Sequence, residues 1–288
     1  MKTKQAKFTK KDFDKMFPDN DACLEWIKNQ QYPNGIKCPI CKKATKHHKF
    51  TKRPVYECDY CGHQISPLAK TIFRKSSTPL KVWLEAIFEM SNTRSGYSAK
   101  ALQRKTGVTY KTAWRMFKQI RKLLDEKPYV FSGEVEADET YIGGARHGTR
   151  GRGAQGKTAV MGIVQRQGHV LASVVPNVKS STIVPFITKN VSAKATLYTD
   201  DFPVYDHFTR VGFHHKEINH SARIYVSGKV HTNNIEGFWS LLKRGVSGVY
   251  HAVSPKYLQS YLNEYAFRYN HRFDETPMFE LMLNQLIS

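Results

Sequence analysis

Gly133-Glu-Val-Glu-Ala-Asp138-Glu-Thr-Tyr-Ile-Gly-Gly144 is the stretch on which the reading of this chain turns. Val130, Val135 and Ala137 give it the character of a strand, with Asp138 near its end. Gly143 to Lys157 comes next, carrying six glycines with Arg146, Arg150 and Arg152. Such a stretch cannot pack a core and reads as a mobile basic loop. Thr158 to Gln165 and Val170 to Val175 form two more strands about the turn Gln167-Gly168. Ser181 to Lys189 reads as a helix, and Ala195 to Thr199 as a fourth strand that runs into Asp200-Asp201. Later, His231-Thr-Asn-Asn-Ile-Glu236-Gly-Phe-Trp239-Ser-Leu-Leu-Lys243-Arg244-Gly245 reads as a helix that Thr232 or Asn233 can cap. Three strands, a helix, a fourth strand and later helices are the element order of a ribonuclease H-like α/β domain.

Acidic residues on the first strand, at the end of the fourth and on the later helix can converge in that order. Phosphodiester cleavage needs such a set, because carboxylates hold two hard cations about 4 Å apart. Asp138, Asp200 and Glu236 are the candidates; pattern alone leaves Glu136 beside Asp138 and Asp201 beside Asp200. Ser240 and Lys243 share the helix face of Glu236. Lys243 and Arg244 are placed to hold phosphate, while Trp239 either packs in the core or meets DNA.

Upstream, Cys38-Pro-Ile-Cys41 and Cys58-Asp-Tyr-Cys61 are separated by 16 residues. Two such pairs can turn four thiolates onto one tetrahedral zinc with no open position, which makes the ion structural. His47, His48 and His63 lie close enough to substitute. Cys23, alone among apolar neighbours, reads as a buried small residue. Residues 1–75 hold 17 Lys/Arg against 7 Asp/Glu, a charge suited to phosphates. From Pro79 the pattern turns helical. Ser98 can cap a short helix that Gly107 breaks, and Thr109 can cap a second with Ala113, Met116, Phe117 and Ile120 inward. Lys111, Arg115, Lys118, Arg121 and Lys122 fall on its other faces. This is a helix-turn-helix pattern with a basic second helix, in which Lys111 and Arg115 are the first candidates for DNA contact.

The whole chain of 288 residues carries +21 and a pI near 9.7, with 40% hydrophobic and 12% aromatic residues. That core capacity excludes a wholly disordered chain, and the charge points to a polyanion, nucleic acid first. No apolar run approaches the roughly 20 residues of a membrane span, and the N-terminus lacks the apolar stretch of a signal peptide. The expectation is a soluble cytoplasmic, nucleoid-associated protein with no membrane partner. Its organisation is multidomain: a basic zinc-ribbon region at 1–75, a helix-turn-helix-like segment at 76–126, and an α/β ribonuclease H-like catalytic domain at 127–288.

Together these motifs resemble the DDE transposases of bacterial insertion sequences, in the branch with an N-terminal zinc ribbon. The resemblance runs from Cys38 to about Arg272, through the two cysteine pairs, Glu136 to Gly144, Tyr198-Thr-Asp200, Ile218 to Ser221, His231 to His251, and Tyr261 to Arg272. Tyr257 departs from it, standing where His is expected. The resemblance implies that Asp138, Asp200 and Glu236 are the catalytic triad and magnesium ligands, with manganese a substitute. It also implies binding of inverted-repeat ends in double-stranded DNA, hydrolysis that frees 3′-OH ends, their joining to target DNA, and a homo-oligomer that synapses two ends. A DNA-binding regulator and a nuclease that cuts without joining are the alternatives on the same fold.

Overall fold

The structure, a computed structural model, describes residues 5–51, 53–143, 156–210, 212–218 and 231–286. Arg146, Arg150 and Arg152 therefore lie outside the described residues. The chain divides into two compact units, Met1–Leu123 with Asp274–Ser288, and Leu124–Phe273.

In the first unit, α1 (Lys10–Met16) starts on a capping box between Thr9 and Asp12, and α2 (Asn20–Gln31) starts on Asp19, which accepts from the Ala22 amide. A small antiparallel sheet follows, in the order β1 (His47–Lys49), β2 (Tyr56–Cys58), β3 (Gln64–Ile65). The α3 helix (Leu80–Ser91) buries Trp83, Leu84, Ile87 and Phe88 at helical spacing. Ser98 caps α4 (Ala99–Thr106) by accepting from Ala101 N, and Gly107 ends it at φ 75°, a conformation only glycine adopts cheaply. Thr109 Oγ1 then accepts from Thr112 N at 3.2 Å, opening α5 (Tyr110–Leu123). Ala113, Met116, Phe117 and Ile120 are buried as the periodicity requires, and Lys111 and Arg115 are exposed. Arg121, off the apolar face by sequence, is nonetheless 3% exposed, with its guanidinium over the Phe117 ring.

The second unit is built on a five-stranded sheet. Its strands are β4 (Glu134–Ile142), β5 (Thr158–Gln165), β6 (Val170–Val174), β7 (Thr196–Asp200) and β8 (His214–Ile218). The order across the sheet is β6-β5-β4-β7-β8; β5 is antiparallel to both of its neighbours, β6 and β4, and β7 and β8 run parallel to β4. The strand β8 has no clear apolar alternation in sequence, since only Ile218 of its five residues is buried. One sheet face packs Val135, Ala137, Ile163 and Leu197 against Ile183 and Ile187 of α6 (Ser180–Asn190) and Phe208 of α7 (Asp206–Arg210). The other packs Ile142, Val160, Val164 and Ala172 against Ile235, Phe238, Trp239 and Leu242 of α8 (Asn233–Gly245) and Leu258, Leu262 and Tyr265 of α9 (Pro255–Asn270).

The last helix, α10 (Met278–Asn284), belongs with the first unit, although sequence grouped it with 127–288. Phe279 enters an aromatic cluster with Phe8, Phe13, Phe17 and Phe88, at ring-centroid distances of 4.7, 5.8, 6.3 and 5.6 Å. Burying rings of that size outweighs proximity in sequence.

Candidate metal centre and active site

The four cysteines meet. Their sulfurs lie within 4.8 Å of one another, the only group of three or more potential ligands among the described residues tight enough to hold a metal ion. Cys38 Sγ is 3.6 Å from Cys61 Sγ, and Cys41 Sγ is 3.8 Å from Cys58 Sγ. A tetrahedron of Zn–S bonds near 2.3 Å has edges of about 3.8 Å, so the donor set fits zinc. Each knuckle turns through a positive φ just after its second cysteine, 60° at Lys42 and 69° at Gly62. Glycine announces the second turn; the lysine conceals the first. Thr45 Oγ1, 3.2 Å from Cys58 Sγ, leads the effects that bring that thiol down to about 6, towards the thiolate a metal requires. Of the nearby histidines, His47 turns Nδ1 to Thr45 O at 2.8 Å, and His48 pairs with Asp59 at 2.7 Å. Cys23 is fully buried, as expected of a small apolar residue.

In the second unit, side-chain alternation along β4 divides its acids between two faces. Glu139 points to the α6–α7 side, where Tyr205 Oη donates to it at 2.8 Å. Glu136 and Asp138 point to the α8 side. Asp138 sits at the middle of β4, not near its end as sequence suggested. Pairing with β5 carries the strand on to Ile142, whereas the parallel pairing with β7 closes at Glu136–Tyr198. Two residues beyond that pair, Asp138 and Asp200 face the same side of neighbouring strands. Asp138 is half-buried, and its carboxyl is pushed up to about 7, by burial first and then by the charges of Glu139 and Asp200. The indole of Trp239 opposes this shift, donating from Nε1 to Asp138 Oδ2 at 2.9 Å.

Trp239 is 4% exposed and is therefore a core residue that orients Asp138, not a DNA-facing ring. It is admitted by Gly162, the residue paired with Asp138 across β5, where an added Cβ would fall 2.4 Å from the indole. Glu236 stands exposed on the first turn of α8, where its Oε1 accepts from Thr232 Oγ1 at 2.8 Å. Of the two expected caps, Thr232 and Asn233, Thr232 takes the N-cap position, but its hydroxyl donates to Glu236 and makes no capping bond to the helix backbone. The structure thus joins Asp138 with Asp200 and leaves the Glu236 carboxylate outside that pair. Ser240, Lys243 and Arg244 are exposed further along α8. Glu136 is 0% exposed, and its oxygens accept from the Asn234 and Ile235 amides of α8, from Asn234 Nδ2 and from Arg166 Nε.

The burial of Asp138, with the like charges beside it, has a measurable consequence. A carboxyl raised to about 7 in the fold holds its proton over a pH range in which the unfolded chain, near 3.8, has lost it. Stability therefore falls as pH rises from about 4 to about 7, and the penalty is complete above that window. In metal-free protein, Asp138→Asn is expected to melt higher than the parent at about pH 8, the gap closing towards about pH 4. The asparagine oxygen still accepts from Trp239. Calorimetry in chelator at both pH values checks this; an unchanged gap would mean that the carboxyl ionises normally.

The chain thus combines a basic unit holding a four-thiolate centre with a second unit whose mixed sheet carries acids on its α8 face. Comparison identifies the family. Residues 130–270 match the model of the ISXO2-like transposase domain, and residues 18–64 that of the transposase zinc-ribbon domain. A protein of the transposable element ISH50 in Halobacterium salinarum is 27% identical over 275 residues, 88% of this chain and 92% of that protein. A transposase-like protein of Haemophilus influenzae is 34% identical over 101 residues, 35% of this chain and 80% of that one. The chain belongs to the ISXO2-like transposase family. A simian T-cell lymphotropic virus intasome in complex with PP2A regulatory subunit B56 gamma aligns over 64% of this chain and 70% of that chain, at 14% identity and a TM-score of 0.32, a likeness too slight to define the fold. No described helix is long and apolar enough to cross a membrane.

Proposed function

We propose that this chain binds the inverted-repeat ends of a mobile element, hydrolyses DNA there to free 3′-OH ends, and joins those ends to target DNA. The observation that carries the reading is the pair Asp138 and Asp200, side by side on β4 and β7 beneath the helix that bears Glu236. The domain is then ribonuclease H-like, and residues 127–273 are its catalytic part. Asp138, Asp200 and Glu236 are hard oxygen donors, and the mutual repulsion registered at Asp138 is what a divalent cation relieves. Bound magnesium, or manganese in its place, supplies activation of the attacking oxygen and stabilisation of the leaving oxygen. The protein's own part is positional. Trp239 fixes the Asp138 carboxylate, Thr232 fixes that of Glu236, and the exposed Lys243 and Arg244 hold the DNA backbone beside them.

End recognition falls to the first unit, a zinc ribbon followed by a helix-turn-helix in α4 and α5. Lys111 and Arg115 lie exposed on α5, and Arg115 also leans on Trp83 and reaches Ser76 Oγ at 3.4 Å. Arg146, Arg150 and Arg152, outside the described residues, add basic contacts. The active form is a homo-oligomer that synapses two ends, in the cytoplasm at the nucleoid.

Two measurements test this reading. Full-length protein is given DNA carrying the inverted repeats beside its gene, and then pre-cleaved ends with a target plasmid. Cleavage with joining supports a transposase; cleavage without joining leaves a nuclease, and binding alone leaves a regulator. In the same assay Arg115→Ala is expected to weaken binding to the ends about tenfold or more relative to unrelated DNA, as loss of a base contact does. Equal weakening on all sequences would reduce Arg115 to a phosphate anchor.

A further inference from the structure

The reaction as proposed needs Glu236 held at a fixed height over the sheet, and only His231 and Thr232 stand between its helix and residues 219–230, which lie outside the described residues. What fixes that end of the helix is a buried carboxylate. Glu136 Oε2 accepts from the backbone amides of Asn234 at 2.9 Å and Ile235 at 3.1 Å. Its Oε1 accepts from Asn234 Nδ2 at 2.7 Å and from Arg166 Nε at 2.8 Å. Arg166 Nη2 in turn donates to the His231 carbonyl at 2.8 Å, and its guanidinium lies 3.9 Å from the Tyr198 ring centroid. So one carboxylate on β4 and one guanidinium at the end of β5 grip the chain on both sides of Thr232, the residue that holds Glu236.

We propose that Glu136 and Arg166 are positioning residues that seat the N-terminus of α8 and thereby set Glu236 against Asp138. This rests on the transposase reading for its functional meaning but on contacts alone for its geometry. The chemistry favours a carboxylate at 136. All four hydrogen bonds named above are donated to it, two of them by amides at a helix N-terminus, where negative charge is stabilised, and His231 Nδ1 lies 3.3 Å from Oε1. A carboxylate offers only acceptors, whereas a glutamine would turn an NH2 group towards one of those donors. The alternation of the strand places Glu136 two residues from Asp138 on the same face, so any shift of the seat is passed to the Glu236 side of the site over one helical turn.

The test uses full-length Glu136→Gln and Arg166→Lys, with Glu134→Gln as the control. Glu134 also approaches Arg166, at 3.5 Å, but makes no bond to α8. Four readouts are taken: melting temperature, affinity for end DNA without metal, single-turnover cleavage in magnesium, and amide hydrogen exchange over residues 233–238. For Glu136→Gln the expected result is near-parental melting and DNA affinity, faster exchange at 233–238, and cleavage slowed about 10- to 100-fold, the range typical when a group that orients an active residue is removed. Raised manganese should recover part of the rate, and Arg166→Lys should fall between parent and Glu136→Gln. Parental cleavage with parental exchange in Glu136→Gln overturns the proposal. So does global unfolding of both variants, because the network would then serve the core and not the seat. If the parent itself never cuts DNA, the transposase reading fails, while exchange at 233–238 still decides whether Glu136 seats the helix.

Discussion

Asp138→Asn, Asp200→Asn and Glu236→Gln are each expected to abolish DNA cleavage and joining, by on the order of a thousandfold or more, while end binding persists. Each change keeps the shape of the side chain and removes an anionic oxygen that a hard cation requires. Binding is assigned to the first unit, so a gel-shift assay without metal should not distinguish the variants from the parent. Asp201→Asn, one residue past β7, should retain substantial cleavage. If instead Asp201→Asn is inert and Asp200→Asn cuts, the second carboxylate is misassigned. Cleavage by all three triad variants in magnesium would remove the mechanism itself. Magnesium should also raise the melting temperature of the parent more than that of any triad variant, since a ligand stabilises a fold only as far as it binds it.

Loss of zinc is expected to have the next largest effect. The ribbon has three strands, of three, three and two residues, far too little buried surface to fold unaided. Metal binding is its folding energy, about 10 kcal/mol or more for sites of this kind. Cys58→Ser removes the ligand beside Thr45 and should release one zinc per chain, make residues 37–65 protease-sensitive and weaken end binding. Residues 124–273 carry their own two-sided core and should remain folded. Metal analysis with limited proteolysis reads both outcomes. A protease-resistant, zinc-free Cys58→Ser ribbon would refute the site.

Much of this was legible in the sequence where local chemistry decides. Cysteine spacing specified the centre, because two short knuckles need no long-range information to present four sulfurs. Ser98, Gly107 and Thr109 marked the ends of α4 and α5, since caps and left-handed glycines act within a few residues. Apolar runs identified β5 and β6, buried strands whose composition matches their surroundings. The polar edge strand β8 escaped, because its pairing with β7 supplies what its side chains do not. Lys42 took a left-handed turn that only its glycine counterpart, Gly62, advertised.

The candidate site shows the same division at closer range. Residue types and order were enough to nominate Asp138, Asp200 and Glu236, together with Glu136 and Asp201 as rivals. Which acid does what depends on partners far away in sequence. Glu136 is held by amides 98 and 99 residues further on, and Asp138 accepts from an indole 101 residues away. Trp239 could be core or contact until Gly162 gave it room beneath α8. Phe279, which sequence grouped with 127–288, is enclosed by four phenylalanines of the first unit. Sequence by itself determined the apolar strands, the capped helices and the four-cysteine ligand set, and nominated the acids, because these depend on residue type and short spacing. Only the tertiary structure decided which buried carboxylate holds a helix and which is left facing another negative charge, because burial and hydrogen-bond partners are properties of contacts between distant segments.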